Sequence, residues 1–178
     1  MIKDDLKKVL ITEEQITQRC KELGAQIDKD FADTEKLLLV GILKGSVPFM
    51  AELIKRISLD IEIDFMAVSS YRGSESTGDI KIIKDLEHSI KGRNLILVED
   101  IVDTGITINA LKTMLYHKGA RDVKVVTLLD KPSRRQVDVN ADYIGFEVEN
   151  EFVVGFGLDY NQKYRNLPYV GVLKEELY

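Results

Sequence analysis

A chain of 178 residues, 44% hydrophobic and 31% charged, is long enough to bury a core and has the balance of one soluble globular domain. Its 25 basic and 30 acidic residues leave a net charge of -5, which argues against a nucleic-acid partner, because neutralising phosphates draws on a basic surface. The single cysteine, Cys20, excludes an intramolecular disulfide and suits a reducing cytoplasm; no apolar run reaches the roughly 20 residues of a membrane-spanning helix, and the first ten residues, with Asp4 and Asp5 among them, lack the apolar stretch of a secretory signal.

In chain order, Thr12 to Asp30 reads as a helix whose start is capped by Thr12 with Glu14 and Gln15 behind it. Cys20 lies within it and reads as a small semi-buried residue rather than a nucleophile. Leu37 to Ile42 is a continuous apolar run, as in a strand buried on both faces. Ser46 then reads as an N-cap, with Pro48 in the first turn, where its missing N–H costs little. Phe49, Leu53, Ile54 and Ile57 follow at helical spacing. Ile61, Ile63 and Phe65 alternate within a strand from Asp60 to Ser69, and Ile80 to Leu86 reads as another. The polar, glycine-bounded stretch between them, Tyr71 to Asp79, reads as a long hairpin loop. Asn94 to Val98 is a second buried strand, Gly105 to Lys118 a helix closed by Gly119, and Val123 to Leu129 a further strand. Strand, helix, strand twice over predicts an α/β fold: a mainly parallel twisted sheet flanked by helices. From Tyr143 onward, short apolar runs are broken by glycines. With no repeat, low-complexity tract or linker, residues 1–178 read as one domain, with a small subdomain formed from the two chain ends.

The densest chemical signal is Leu95-Ile96-Leu97-Val98-Glu99-Asp100-Ile101-Val102-Asp103-Thr104-Gly105-Ile106-Thr107. A buried strand leads into two adjacent carboxylates, a third follows, and Thr, Gly and Thr open a helix. Ligands of parallel sheets bind beyond the carboxyl ends of strands. A helix N-terminus offers unpaired N–H groups and partial positive charge to a phosphate. Gly105 lets the backbone approach the anion closely, and Thr104 and Thr107 add hydroxyls. The carboxylates would repel a phosphate, so they face something else: ribose hydroxyls, a metal or a proton on a base. Singly, each residue has a plainer reading as a strand end or a helix cap; the combination favours a site. Neither a Walker loop nor a dinucleotide fingerprint is present.

Val98-Glu99-Asp100-Ile101-Val102-Asp103-Thr104-Gly105 resembles the signature of type I phosphoribosyltransferases. Four further blocks resemble the hypoxanthine-guanine branch of that family over nearly the whole chain. Gly41-Ile42-Leu43-Lys44-Gly45-Ser46 is similar to its pyrophosphate loop, in which the peptide matching Leu43-Lys44 can be cis. Ser69-Ser70-Tyr71-Arg72-Gly73 is similar to the Ser-Tyr pair, here Ser70 and Tyr71, that opens a lid over the substrates. Leu128-Leu129-Asp130-Lys131-Pro132 carries the lysine that donates to the six-oxo group of a purine. Phe152 to Tyr160, followed by Arg165-Asn166-Leu167-Pro168, is similar to a hood formed by the N-terminal segment and roughly residues 145–178.

The resemblance implies purine salvage in the cytoplasm by a homodimer or homotetramer: phosphoribosyl pyrophosphate and a 6-oxopurine, hypoxanthine or guanine, yield a nucleotide and pyrophosphate with Mg²⁺ as cofactor. It implies that Glu99 and Asp100 bind the ribose hydroxyls, directly or through the Mg²⁺ shell, and that Asp103 handles the purine proton. Thr104, Gly105 and Thr107 would hold the 5′-phosphate, and Lys44, Gly45 and Arg165 the pyrophosphate. Lys131, Phe152 and Val153 would bind the base, and Asp159 a second Mg²⁺. One departure stands at Ile106, where some members carry lysine, so phosphate binding would lean on backbone N–H groups and the threonines. Two alternatives are weighed. A sibling enzyme using xanthine shares the six-oxo requirement. An RNA-binding regulator on the same fold would need a basic face, and Lys131, Arg134 and Arg135 are the densest basic cluster.

Overall fold

The computed structural model describes residues 2–70 and 80–178. Helix α1 (Glu13–Asp30) starts on a full capping box: Thr12 Oγ1 accepts from Gln15 N at 3.3 Å, and Gln15 Oε1 accepts from Thr12 N at 2.8 Å. Strand β1 (Leu6–Ile11) precedes it. The buried face of α1, Ile16, Cys20, Leu23, Gly24 and Ile27, follows helical periodicity. A Cβ on Gly24 would stand 2.3 Å from the Arg56 carbonyl oxygen, so glycine lets α1 close onto the chain leaving helix α2 (Val47–Ile54).

The other strands are β2 (Leu37–Leu43), β3 (Ile61–Ser70), β4 (Ile80–Lys84), β5 (Asn94–Val102), β6 (Asp122–Asp130), β7 (Tyr143–Glu147), β8 (Val153–Val154) and β9 (Val170–Leu173); helix α3 is Ile106–His117. Six strands form one sheet in the order β4-β3-β2-β5-β6-β7. All its pairings are parallel except β3 with β4. Side chains alternate across it. Leu37, Leu39, Ile96, Val98, Val126 and Leu128 face α1 and α2; Leu38, Val40, Leu95, Leu97, Val123 and Val125 face α3 through Ile108, Leu111 and Leu115. Burial on both faces explains why β2 and β5 read as unbroken apolar runs. The predicted α/β architecture with helices on both sides is therefore the one observed. Among the described residues no helix is long and apolar enough to cross a membrane.

A second, antiparallel sheet, β1-β9-β8, joins the chain ends. Val153, Val170, Val172 and Ile11 pack into the main core, while Val154 and Leu173 join Tyr164 and Leu167 in a smaller cluster. The expected hood boundary near residue 145 falls inside β7, which belongs to the large sheet; the small sheet resumes only at Val153.

Three sequence expectations shift. Ser46 stands at the N-cap of α2 with Pro48 in the first turn, as expected, but its backbone is helical (φ -69°, ψ -13°) and its buried hydroxyl has no partner, so its side chain does not cap. β5 does not stop at Val98 but continues through Glu99 and Asp100 to Val102, because β6 pairs with it as far as Val102↔Asp130. β4 ends at Lys84 rather than Leu86. The loop expected over residues 71–79, including Tyr71, lies outside the described residues, and Ser70 is the last residue of β3.

Candidate active site

Parallel pairing brings the carboxyl ends of β2, β5 and β6 side by side. Past β5 the chain turns through Asp103 and Thr104 to Gly105, which holds φ 82° and ψ -8°, a left-handed conformation suited to glycine, and caps α3. Gly105 has no side chain to cap the N–H groups that open α3, and among the described residues only Ile106 N finds a side-chain acceptor, Thr104 Oγ1 at 3.4 Å. A pocket of ≈ 230 Å³ forms there, lined by Glu99, Ile101, Val102, Asp103, Thr104, Gly105, Thr107 and Ile108. The predicted phosphate residues thus line one concavity, and Ile106 is the first residue of the helix behind it.

The turn is strapped from behind. Arg135 pairs with Asp130 and donates to the carbonyls of Val102 at 3.2 Å and Asp103 at 2.5 Å. Gln136 N donates to Thr104 O at 2.9 Å. Gly105 is pressed against this strap: a Cβ there would stand 2.6 Å from Val139 Cγ1.

A second pocket of ≈ 430 Å³ adjoins the first and shares Ile101 and Asp103 with it. Lys131, Arg134, Asn150, Glu151, Phe152, Val153, Leu158 and Tyr178 complete its lining. Lys131 is only 7% exposed. Its Nζ donates to the Glu151 carbonyl at 2.7 Å, so it is paired across the pocket and not with its neighbour Asp130. Burial pulls its pKa below the usual lysine range, with the Asp103 charge opposing that shift. Asp103 itself accepts from Arg134 Nε at 2.7 Å, and Arg134 Nη1 also reaches Asn150 Oδ1 at 3.3 Å.

The third wall comes from the turn after β2. The Leu43-Lys44 peptide is cis. Gly45 lies on the Asp100 carboxylate, and Gly157, at φ 103°, lies in turn on Gly45: a Cβ on Gly157 would stand 1.9 Å from Gly45 O. Lys44 is exposed, and among the described residues it makes no ion pair. Arg165 donates to Gly157 O at 2.7 Å and pairs with Asp159 at 2.7 Å; its Nε is buried without a partner. The second oxygen of Asp159 accepts from Gln162 N at 2.9 Å.

Glu99 and Asp100 are costly neighbours. Burial, then the Asp100 charge, raises the Glu99 pKa well above the usual carboxylate value. Burial likewise lifts Asp100 to about 6, with Arg165 opposing and Asp159 reinforcing the shift. Among the described residues no three His, Cys, Asp or Glu side chains close into a metal cage. The pair instead offers oxygen donors from two adjacent buried carboxyls. That suits a hard divalent cation which draws its remaining ligands from water and substrate.

Several lining residues were not singled out as site residues by the sequence. Ile101 and Leu158 read as ordinary apolar residues. Arg134, and Arg135 in the strap behind the turn, read only as a basic cluster, though their place just past the end of β6 was a signal. Glu151 contributes a carbonyl, which no sequence pattern reveals, and Tyr178 reaches the pocket only through the folding of the chain end.

A family model described as phosphoribosyl transferase domain matches residues 10–161. The chain is 56% identical over 179 aligned residues to the hypoxanthine-guanine phosphoribosyltransferase of Streptococcus agalactiae serotype V, covering 100% of this chain and 99% of that one. Its identity to the Bacillus subtilis protein of the same name is 52%, again over 100% and 99%. A solved hypoxanthine phosphoribosyltransferase from Staphylococcus aureus superposes with a TM-score of 0.96 at 52% identity, over 99% of this chain and 96% of that one.

Proposed function

The chain belongs to the phosphoribosyltransferase family, and we infer that it acts in purine salvage, transferring the 5-phosphoribosyl group from phosphoribosyl pyrophosphate to hypoxanthine or guanine. The observation that carries the assignment of roles is the junction of the two pockets at Asp103. One pocket is a helix N-terminus fit for a phosphate; the other is a slot with Phe152, Val153 and Leu158 among its lining and a buried lysine at its edge. A ribose spanning them would carry its anomeric carbon past Asp103.

In the reaction a purine ring nitrogen bonds to the anomeric carbon as the carbon–oxygen bond to pyrophosphate breaks. The transition state has oxocarbenium character, by analogy with other glycosyl transfers. Thr104, Gly105, Thr107 and the N–H groups opening α3 hold the 5′-phosphate. Glu99 and Asp100 bind the ribose hydroxyls, directly or through the shell of a Mg²⁺ ion. Bound with the substrate, Mg²⁺ supplies charge neutralisation at the leaving pyrophosphate. The raised pKa values of the two carboxylates support this role, because a cation or a pair of hydroxyl donors stabilises the charge that burial penalises. Asp159 would be the candidate to hold a second Mg²⁺, and Arg165, which pairs with it at 2.7 Å, would reach the pyrophosphate beside Lys44 and Gly45.

Asp103 receives the purine proton as nitrogen seven changes its bonding, and exchanges its bond to Arg134 for that proton. Lys131 exchanges the Glu151 carbonyl for the six-oxo group, which favours hypoxanthine or guanine over adenine. Phe152 stacks on the base, and the Val153 backbone meets its edge. Lys131 and Arg135 are withdrawn onto the Glu151 carbonyl and Asp130, and the exposed Arg134 is paired with Asp103, so the charge of this basic cluster is taken up within the chain, which weighs against an RNA backbone as its partner. The expected homodimer or homotetramer is tested by sedimentation.

The deciding experiment is a turnover assay with phosphoribosyl pyrophosphate, Mg²⁺ and hypoxanthine, guanine, xanthine or adenine in turn, with a metal-free control. Nucleotide formation from hypoxanthine and guanine, lost without metal, is expected. Turnover confined to xanthine would select the sibling reading, and no turnover with any base would overturn the enzyme reading.

A further inference from the structure

The ring of Phe152 already has company. Tyr160 meets its edge, with centroids 5.5 Å apart and planes at 87°. Tyr178 covers one of its faces, with centroids 4.5 Å apart and planes at 24°. We propose that Tyr178 occupies the face of Phe152 that the purine takes, so that the base enters by displacing it. This rests on reading the second pocket as the base site.

The placement of the two rings supports it. Tyr178 lines the same pocket as Ile101, Asp103 and Lys131, so its ring stands on the pocket side of Phe152 rather than behind it. The stacked geometry is also the one a flat purine would adopt on the same ring.

The two partners differ in how firmly they are held. Phe152 is anchored by the small sheet: Leu173 N donates to its carbonyl at 2.9 Å, and Val153 and Val154 of β8 follow it. Tyr178 is 51% exposed and follows a three-residue turn, Glu175–Leu177. That turn is tied back by Leu177 N to Lys174 O at 3.1 Å, by Lys174 N to Asp5 O at 3.0 Å, and by an exposed Lys7–Glu175 pair at 3.6 Å. Such a segment moves at little cost, since exposed pairs contribute little. Phe152 stays and Tyr178 leaves.

Tyr178 is then a positioning residue. It shields the aromatic platform until the base arrives, and the base exchanges one stack for another. The exchange weakens base binding by the strength of a single aromatic stack, about two- to tenfold. It leaves the phosphate pocket, which Tyr178 does not line, unaffected.

The test is the KM for hypoxanthine, the KM for phosphoribosyl pyrophosphate and kcat, measured for the wild type, Tyr178→Ala and Tyr178→Phe. Tyr178→Ala is expected to lower the base KM about two- to tenfold, with the phosphoribosyl pyrophosphate KM unchanged. Tyr178→Phe keeps the ring and is expected to match the wild type. A higher base KM in Tyr178→Ala would show a wall that supports the base, and an unchanged one would show no contact; either overturns the proposal. Melting temperatures of the three proteins identify damage to the small sheet, which would move both KM values together and also count against it. A wild type that turns over no 6-oxopurine sinks the functional reading itself, a result distinct from all of these.

Discussion

Gly45 lies against the Asp100 carboxylate so closely that a Cβ on the glycine would stand 1.7 Å from Asp100 Oδ2. The contact joins the turn after β2 to the end of β5, and so the proposed pyrophosphate loop to the proposed ribose carboxylate. Gly157 also closes on the turn, since a Cβ there would stand 1.9 Å from Gly45 O. Gly45→Ala is expected to cost about 1–3 kcal/mol of stability through overpacking. It is also expected to raise the KM for phosphoribosyl pyrophosphate more than that for the base. Thermal melts and the two KM values check this; an alanine enzyme with wild-type values would show that the turn yields freely.

Asp103 borders both pockets and is held by Arg134 at 2.7 Å. Asp103→Asn keeps the shape and removes the proposed proton acceptor. Turnover is expected to fall about ten- to a thousandfold, with the melting temperature nearly unchanged, because the Asp103–Arg134 pair is partly exposed. Unchanged turnover would remove Asp103 from the acid–base role.

Much of this was legible in the residues. The two-faced burial of β2 and β5 gives unbroken apolar runs, and the capping box at Thr12 marks the start of α1 within a residue. The 99–107 motif is local, so its spacing carries over directly into a pocket. The contacts that complete the site are not local. Arg134 reaches Asp103 across 31 residues, Lys131 finds a backbone carbonyl at Glu151, and Tyr178 arrives from the chain end. No periodicity encodes such pairings. Ser46 does stand at the N-cap position its place before Pro48 suggests, but its hydroxyl is drawn beneath Gly41, where a Cβ would lie 3.1 Å from it, and makes no cap bond.

Cys20 lies in the buried face of α1, and burial pushes its thiol up to about 12. The thiolate is the reactive form, so a disulfide reagent is expected to leave the folded enzyme unmodified at neutral pH and to label one thiol per chain in denaturant. Fast labelling of native enzyme would show that α1 opens readily from the sheet.

Lys131 points to a separable base contact. Lys131→Ala is expected to raise the KM for hypoxanthine at least about tenfold, the loss of a charge-assisted hydrogen bond, while that for phosphoribosyl pyrophosphate stays close to wild type. Because burial lowers its pKa, base affinity in the wild type is expected to fall on the alkaline side below the titration of a free lysine, and Lys131→Arg should flatten that limb. Equal losses for both substrates would indicate general damage instead.

Glu99 and Asp100 set activity against stability. Asp100 titrates near 6 in the folded protein against an ordinary value of 3.8, and Glu99 is raised too. The folded state therefore holds their protons more tightly than the unfolded chain. Below about pH 4 Asp100 is protonated in both states and there is no penalty; as pH rises through about 6 the folded protein must ionise this buried carboxyl, and stability is lost. Asp100→Asn removes that penalty while keeping an oxygen for the Ile101 N–H, which Asp100 Oδ1 accepts at 2.8 Å. Free of ligand and metal, this variant is expected to be more stable than the wild type by about 1–2 kcal/mol above pH 7, with the advantage fading toward pH 4. Adding Mg²⁺ and phosphoribosyl pyrophosphate should reverse the order, because binding stabilises the wild type and the variant has lost a carboxylate of the proposed ligand site. Melting curves across pH, with and without the ligands, decide it. An advantage that does not shrink on acidification would place the gain in packing rather than charge, and an order that survives the ligands would remove Asp100 from their site.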